Sequence, residues 1–203
     1  MDADAWDRRY AGTDLVWSAE PNRFVAAELA DLPAGRVLDL GAGEGRNALW
    51  LAARGWRATA VDFSAVAIDK GRTLAAALRL DVEWIVADVV HGYRPEPDSF
   101  DLVLIAYLHL PPDATATVLG NAAGAVAPGG TLLVVGHDLT NLRDGTGGPQ
   151  DAERLYTPEL ITGHLDGWYL DRAGRARRPV QTDTGTRDAI DTVVRARKPA
   201  PPA

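Results

Sequence analysis

The feature that most constrains this chain is a glycine-rich stretch that joins two apolar segments near its start. An apolar run over residues 36–40 ends at three alternating glycines, Gly41, Gly43 and Gly45, and apolar residues return at positions 48, 49, 51 and 52. The pattern predicts a buried strand, a tight turn and a helix. Because glycine accepts backbone angles closed to other residues and has no Cβ, a ligand can lie against such a turn. We therefore predict a small-molecule site there.

The spacing of the glycines bears on which ligand the turn binds. The dinucleotide motif is Gly-x-Gly-x-x-Gly, but Arg46 stands where its third glycine would fall. Glu44 lies inside the turn and is expected to repel a pyrophosphate, whereas a cationic amino-acid ligand tolerates an acid. The order Asp39-x-Gly41-x-Gly43-x-Gly45 instead resembles the first motif of class I S-adenosylmethionine-dependent methyltransferases.

Composition sets broad limits on the protein. The chain has 203 residues, no cysteine, 46% hydrophobic residues and a formal charge of -7, which describes one domain with a full core and no disulfides. Residues 1–4 are acidic and lack the pattern of a signal peptide, and no apolar run approaches the roughly 20 residues that span a bilayer. We expect a cytoplasmic protein with neither a membrane nor a nucleic acid as partner.

The order of predicted elements defines a fold class. Helices are predicted over residues 22–31, 48–52, 65–80, 112–127 and 157–165, and strands over 36–40, 57–62, 82–88, 99–107, 131–137, 168–178 and 186–196. This order fits a Rossmann-like, doubly wound α/β fold, whose seven-stranded, mostly parallel sheet has one antiparallel strand and helices on both faces. We expect a single domain over 1–203, with an N-terminal lid and helix (1–34), a core (35–198) and a tail (199–203). Residues 5–22 show no sustained period.

Two acids follow strands of the predicted sheet. Asp62 comes after the glycine turn at about the 20 residues typical of a ribose-binding acid, and a carboxylate there can accept both ribose hydroxyls. Its alternative role is to cap the next helix, although Ser64 can do so instead. In the methyltransferase family the residue at the position of Asp88 accepts a hydrogen bond from the adenine amino group; a turn aspartate is the alternative.

The resemblance implies S-adenosylmethionine as cofactor, with S-adenosylhomocysteine as product. It assigns the amide of Val89 to the adenine ring, while Phe63 is placed either against the adenine or ribose or in the core. The implied cofactor-binding residues are Asp39, Gly41, Ala42, Gly43, Gly45, Arg46, Asp62, Phe63, Asp88, Val89 and Ala106. No metal-ligand spacing occurs in the sequence.

The acceptor side of the site is predicted beyond the fourth and fifth strands, at the edge where ligands bind in doubly wound sheets. Tyr107, His109 and His137 are the catalytic candidates and also the substrate-contacting ones, since an unperturbed histidine titrates near pH 6.5; ordinary loop polarity is the alternative for both histidines. Trp17 is the preferred lid residue; the alternative is that the aromatic residues of this N-terminal segment simply pack into a crevice. The polar segment 138–151 is interpreted as a wall of the pocket.

Family features narrow the predicted reaction. The Asn/Asp-Pro-Pro-Phe/Tyr motif of many amino-methylating relatives is missing after the fourth strand, and the turn Gly-Glu-Gly-Arg-Asn-Ala resembles the small tellurite-resistance and thiopurine methyltransferase-like group. In-line methyl transfer to an oxygen, sulfur or chalcogen atom of a small molecule is thereby implied. A non-catalytic S-adenosylmethionine-binding protein and an NAD-dependent oxidoreductase are the alternatives. The arginines at 172, 175, 177 and 178 are interpreted as a solvated face rather than a nucleic-acid site.

Overall fold

The computed structural model describes residues 3–12, 14–16, 18–183 and 185–200. Its helices are α1 (Ala3–Tyr10), α2 (Arg23–Leu29), α3 (Arg46–Ala52), α4 (Ala65–Leu78), α5 (Pro112–Ala125), α6 (Asn141–Asp144) and α7 (Pro158–Thr162). Its strands are β1 (Arg36–Leu40), β2 (Arg57–Asp62), β3 (Val82–Val86), β4 (Phe100–Ala106), β5 (Val126–His137), β6 (Tyr169–Thr182) and β7 (Gly185–Arg197).

All seven strands form one sheet in the order β3-β2-β1-β4-β5-β7-β6. The first five strands pair in parallel, and β7 is antiparallel to both β5 and β6. The predicted Rossmann-like fold with one antiparallel strand is therefore confirmed. The strand order reverses between β1 and β4, so the carboxyl ends of these two strands flank the crevice where ligands bind in such sheets.

Both faces of the sheet are buried, as the alternation of side chains along each central strand requires. On β4, Leu102 and Leu104 pack on one face with Val25 of α2, while Val103 and Ile105 pack on the other face. The second face is covered mainly by α5 and by the segment around α7. The central strands thus form a rigid support for the loops at their carboxyl ends.

The structure corrects the sequence analysis at the N-terminus. Residues 3–10 form helix α1, although no regular element was expected before residue 22. The helix is short, and its aromatic pair Trp6 and Tyr10, one turn apart, stacks with ring centroids 5.5 Å apart. Such a segment has too few turns to show a period, and it is fixed by contacts with α4 that the sequence does not reveal.

The C-terminal third differs from the prediction in three respects. Helix α7 ends at Thr162, not near residue 165. The segment 179–185, expected to link two strands, continues β6 to Thr182 and turns tightly into β7. The polar loop after β5 contains the one-turn helix α6. Helix α5 ends at Ala125 and β5 begins at Val126, so the Pro-Gly-Gly segment expected before the strand lies within it, where the register with β4 shifts between Phe100 and Leu102. Among the described residues, no helix has the length and apolar character needed to cross a membrane.

Candidate functional site

The glycine turn lies between β1 and α3, as predicted, and all three of its glycines have positive φ. The angles are +72° at Gly41, +57° at Gly43 and +78° at Gly45, which a residue with a Cβ rarely adopts. A Cβ on Gly45 would lie 2.2 Å from the indole ring of Trp84 on β3. The amides of Gly41 and Ala42 donate to Val61 O on β2. The turn is therefore fixed by its neighbours as well as by its own sequence.

Glu44 has a different role from the one expected. Its carboxylate accepts the backbone N–H of Val16, with N···O distances of 3.0 and 3.2 Å, and lies 3.2 Å from the Lys70 ammonium of α4. It is nearly fully buried. The repulsion of a pyrophosphate that the sequence suggested is thus partly neutralised by Lys70, and Glu44 anchors the segment that precedes α2.

Asp39, near the end of β1, lies beside this turn with its carboxylate buried. The residue is 1% exposed, and neither carboxylate oxygen has a hydrogen-bond partner in the part of the chain that the structure describes. Burial, and secondarily the charge of Asp62, raises the pKa of Asp39 to about 7, against smaller opposing effects of Arg46 and the Ala48 amide. A buried carboxylate without a partner is costly, so this position favours a cationic ligand group.

Asp62 closes β2 and contacts the glycine turn directly. Its Oδ2 accepts the amide of Gly43 at 2.8 Å, and its Oδ1 accepts the amide of Ser64 at 2.9 Å. Burial raises the pKa of Asp62, and the backbone hydrogen bonds oppose that rise. Ser64, not Asp62, caps α4 by accepting the amide of Ala67. Because a carboxylate offers about four acceptor positions, Asp62 retains capacity for ligand hydroxyls.

The third acid lies beyond β3 at the same edge. Asp88 is exposed, and its Oδ1 accepts the amide of Val90 at 2.8 Å. Val89 is buried, and Phe63, just after β2, is half-buried. Asp39 is next to last in β1, Asp62 is the last residue of β2 and Asp88 follows β3 by two residues, so the three acids lie at the carboxyl ends of three strands.

At the end of β4, Ala106 is half-buried and Tyr107 adopts φ +59°, an uncommon angle for a residue with a bulky side chain. The Tyr107 amide donates to Val135 O at 2.7 Å, and its hydroxyl donates to Asp191 Oδ2 of β7 at 2.8 Å. Burial, and then the charge of Asp191, raises the pKa of Tyr107. These bonds hold a strained residue at the crevice with its hydroxyl protonated.

His109 has both ring nitrogens engaged within the protein. Nε2 accepts the backbone N–H of His137 at 3.1 Å, so Nδ1 carries the proton and donates to Arg154 O at 2.8 Å. Burial, more than the neighbouring His137, lowers the pKa of His109 to about 4. His109 therefore stays neutral and connects β5 to the loop before α7. Because both of its ring nitrogens are engaged, it has no lone pair with which to accept a proton from a substrate.

His137, at the end of β5, has a different environment. Its Nδ1 lies 3.3 Å from Asp191 Oδ1, an ion-pair distance without the alignment of a good hydrogen bond. Within the described residues, Nε2 has no hydrogen-bond partner, and the side chain is 13% exposed. The ring stacks on His109 and meets Tyr107 edge-on, with centroid distances of 5.5 and 5.1 Å.

Asp191 and Arg178 join this cluster although the sequence analysis did not select Asp191. Asp191 is fully buried, and Arg178 Nε donates to its Oδ2 at 2.8 Å. Burial alone would raise the pKa of Asp191, but the adjacent His137, Arg178 and Tyr107 side chains lower it overall. The available signal was an acid within a mostly apolar run at positions 189–194, and its pairing depends on β7 lying beside β5.

The four arginines of β6 are not a uniform solvated face. Arg178 and Arg175 pair with the buried acids Asp191 and Asp138, and Arg172 pairs with Glu28 of α2; Arg177 alone among the four has a mostly exposed side chain, at 63%. Arg175 and Arg177 are exposed, as the interpretation expects, whereas Arg172 and Arg178 are only partly exposed. Strand pairing along β6 and β7 brings these arginines to acids far away in sequence.

The loop after β5, predicted as a pocket wall, folds back on β7 and over His137. Asp138 is fully buried and accepts four bonds, from the amide and hydroxyl of Thr140, from Arg175 and from the hydroxyl of Thr192. A Cβ on Gly148 would lie 2.6 Å from the His137 ring. The loop is thus packed against the ring of His137.

The N-terminal helix lies next to the glycine turn. Ser64 donates its hydroxyl proton to Asp7 of α1, and the charge of Asp7 acts on Asp62. Burial lowers the pKa of Arg46, and the nearby buried Tyr10 is among the groups that oppose this effect. Trp17, the predicted lid residue, lies outside the described residues. The part of the N-terminal segment that is described does cover the edge where Asp62 lies.

Comparison with known sequences assigns a domain type. Residues 37–130 match the family model described as "Methyltransferase domain". An uncharacterized methyltransferase of Mycobacterium tuberculosis is 38% identical over 134 residues, which are 65% of this chain and 66% of the relative. A ubiquinone biosynthesis O-methyltransferase of Xanthomonas campestris is 33% identical over 112 residues. The match covers 55% of this chain but only 46% of that relative, so the chain spans about half of its length.

Solved structures agree on the fold. TehB from Haemophilus influenzae superposes with a TM-score of 0.74 at 18% identity, over 97% of this chain and 66% of that chain. The N-methyltransferase NodS from Bradyrhizobium japonicum, in complex with S-adenosyl-L-homocysteine, superposes with a TM-score of 0.73 at 19% identity, over 97% and 98% of the two chains. At these identities the likeness shows the fold alone.

Proposed function

Because the chain belongs to the class I S-adenosylmethionine-dependent methyltransferases, we propose that it transfers a methyl group to a small molecule in the crevice between the glycine turn and the ends of β4 and β5. The observation that carries this proposal is Asp39. Its buried carboxylate has no hydrogen-bond partner in the described structure and lies under a turn of three positive-φ glycines. This is the environment that a cationic ligand lying against the main chain would satisfy.

The residues of the turn fit S-adenosylmethionine better than a dinucleotide. A pyrophosphate would place negative charge near Asp39 and Asp62, both nearly fully buried, whereas the ammonium and sulfonium groups of S-adenosylmethionine carry positive charge. We assign the ribose hydroxyls to Asp62 and the adenine amino group to Asp88. The full cofactor set in this proposal is Asp39, Gly41, Ala42, Gly43, Gly45, Arg46, Asp62, Phe63, Asp88, Val89 and Ala106.

When bound, S-adenosylmethionine supplies an electrophilic methyl group on a good neutral leaving group. The protein's task is then to orient the acceptor and to exclude water, and orientation alone can be worth about 7–11 kcal/mol. Helix α1 is held to α4 through Asp7 and Ser64, and Val16 is held to the turn through Glu44. We propose that residues 1–34 form an N-terminal lid and helix, that 35–198 form the core of a single domain and that 199–203 are a tail.

The acceptor is proposed to be a small molecule with an oxygen, sulfur or chalcogen nucleophile. Two elements favour a small acceptor: α1 lies over the cofactor edge, and the loop after β5 lies against His137. One sequence relative is by name an O-methyltransferase of ubiquinone biosynthesis, which supports oxygen as the nucleophile. Tyr107 and His137 border the acceptor position in this proposal, and His109 supports the main chain of His137.

Isothermal titration calorimetry of the purified protein tests the cofactor assignment. S-adenosylmethionine, S-adenosylhomocysteine and NAD are titrated separately into the wild type, into Asp62→Ala and into the control Asp69→Asn. Asp69 is a 71% exposed acid of the neighbouring helix α4. We expect the first two ligands to bind to the wild type and to the control, with at least a tenfold loss of affinity in Asp62→Ala.

Two outcomes would contradict the proposal. Binding of NAD without S-adenosylhomocysteine would identify a dinucleotide site. Equal binding of S-adenosylhomocysteine to the wild type and to Asp62→Ala would show that Asp62 does not bind the cofactor, even if the family assignment holds.

A further inference from the structure

We infer that His137 and Asp191 form an acid–base pair that removes a proton from the acceptor, which makes the acceptor class a hydroxyl compound such as a phenol. This inference rests on the proposed function and deepens it by choosing among nucleophiles. His137 takes the proton at Nε2. Asp191 is a positioning residue: it acts on the substrate only through His137.

The two oxygens of Asp191 have different partners. Oδ2 accepts from both the Tyr107 hydroxyl and Arg178 Nε, each at 2.8 Å, whereas Oδ1 has only His137 Nδ1, at 3.3 Å. Two donors thus fix the carboxylate in place and leave one oxygen aimed at the imidazole. An oxygen acceptor at Nδ1 selects the tautomer with its proton on that nitrogen and its lone pair on Nε2. The 3.3 Å distance is in the range seen before a substrate tightens such a pair.

His109 supports this arrangement from the main-chain side. Its Nε2 accepts the His137 amide, and its ring stacks on the His137 ring at 24°. Both of its nitrogens are used inside the protein. Of the two histidines at this edge, His137 alone has a ring nitrogen without a partner among the described residues, so a proton from the acceptor can be placed only there.

The charges around His137 come from every neighbouring element. Asp191 faces it from β7, Tyr107 and His109 from the loop after β4, and Arg178 from β6 through Asp191; Tyr156, before α7, packs against the His109 ring. Burial raises the pKa of both tyrosines, so they remain neutral, and burial keeps His109 neutral as well. Within the part of the chain that the structure describes, the anion that faces the imidazolium formed during the reaction is Asp191, whose charge Arg178 partly offsets.

The proposed step is balanced as a proton transfer coupled to displacement. The O–H bond of the acceptor breaks, and its electron pair forms the new bond to the methyl carbon. The bond between that carbon and sulfur breaks, leaving neutral S-adenosylhomocysteine. The proton remains on His137 Nε2 until water removes it. A thiol that is already ionised needs no base, so the His137–Asp191 pair is required for a hydroxyl acceptor but not for a thiolate.

The kinetic test uses catechol, which is protonated at neutral pH, and thiophenol, which is largely ionised. Formation of S-adenosylhomocysteine is followed with each acceptor in the wild type, His137→Gln, Asp191→Asn and Asp191→Glu. We expect His137→Gln to lower kcat for catechol about 10²–10⁴-fold and Asp191→Asn about 10–100-fold, with partial rescue in Asp191→Glu. Asp188→Asn, three positions earlier on β7 with its side chain 44% exposed, is the matched control.

The pH dependence of kcat/KM distinguishes a positioning role of Asp191 from a purely structural one. In the wild type the acidic limb of kcat/KM for catechol reports protonation of the base. Asp191→Asn should move that limb to lower pH, because the imidazolium loses its anion, whereas a merely structural defect would lower the rate equally at every pH. Methylation of catechol by His137→Gln at the wild-type rate, or methylation of thiophenol alone by the wild type, would overturn the inference.

Chemical modification tests the pair even if neither acceptor reacts. Diethyl pyrocarbonate acylates a neutral imidazole with a free nitrogen, and mass spectrometry can locate the product among the chain's four histidines. The exposed His91 and His164 serve as internal standards. We expect modification of His137 but not of His109; the reverse result would refute the inference. Binding of S-adenosylhomocysteine, measured in parallel, reports separately on the proposed function.

Discussion

The hydroxyl of Tyr107 donates to Asp191 Oδ2 at 2.8 Å, across 84 positions of sequence. This bond connects the strained residue after β4 to the buried acid of the antiparallel strand β7. Arg178 from β6 shares the same oxygen. The proposed acceptor side of the crevice is therefore built from three strands, and its charge is set by the C-terminal hairpin rather than by the half of the sheet that we propose binds the cofactor.

Asp39 makes the stability of the free protein depend on pH. Burial, and then Asp62, raises its pKa from 3.8 to about 7, so the folded state binds this proton more tightly than the unfolded state does. The group therefore lowers the free energy of unfolding as pH rises from about 4 to about 7, by roughly 4 kcal/mol at most. We expect Asp39→Asn to be more stable than the wild type at pH 8 in urea unfolding, and to bind S-adenosylmethionine more weakly. Parallel pH profiles for the two proteins would contradict this.

Gly45 is expected to be the least replaceable residue of the turn. Its φ is +78°, and an added Cβ would lie 2.2 Å from the Trp84 ring. The angle alone costs an alanine about 1–2 kcal/mol, and moving Trp84 adds to that cost. Gly45→Ala should therefore lower Tm clearly. Gly120→Ala, in the exposed part of α5 with no atom near the added Cβ, should instead stabilise the protein by about 0.5–1 kcal/mol. Equal effects in differential scanning calorimetry would refute the prediction.

Asp138 is expected to hold the loop after β5 in place. It is fully buried and accepts bonds from Thr140, Arg175 and Thr192. Asp138→Ala leaves these donors without their acceptor, so we expect a loss of about 3–5 kcal/mol in urea unfolding. Asp188→Ala, which removes an exposed ion pair with Arg177, should cost less than about 1 kcal/mol. A small effect at Asp138 would mean that the loop folds independently of this acid.

Glu44 is expected to control opening of the N-terminal segment. Its carboxylate accepts the Val16 amide and pairs with Lys70. Glu44→Ala removes a charge-assisted bond worth about 1.5–3 kcal/mol, which corresponds to at least about a tenfold faster local opening. Limited thermolysin digestion should then cleave near Leu15 and Val16 at a correspondingly higher rate, with S-adenosylhomocysteine slowing the cleavage. The exposed-acid variant Asp69→Asn should be cleaved like the wild type, and an unchanged rate in Glu44→Ala would argue against an anchored lid.

Some parts of the site escaped sequence analysis for identifiable reasons. Helix α1 has only eight residues, too few for a period, and its position depends on the contact between Asp7 and Ser64. Glu44 appeared to set the charge of the glycine turn, but its side chain faces Val16 and Lys70. A sequence gives residue types, whereas the direction of a side chain in a turn depends on the backbone angles and on what packs beside it.

The sequence by itself determined the fold class, the strand–turn–helix at the glycines and the acids at the carboxyl ends of β1, β2 and β3. These features are local: alternation, glycine spacing and strand ends can be read within a few residues. Only the tertiary structure decided which histidine keeps a free nitrogen and which acid faces it. Asp191 lies opposite His137 because β7 pairs antiparallel to β5 in one particular register. That register is fixed by packing between distant segments, and no local sequence pattern predicts it.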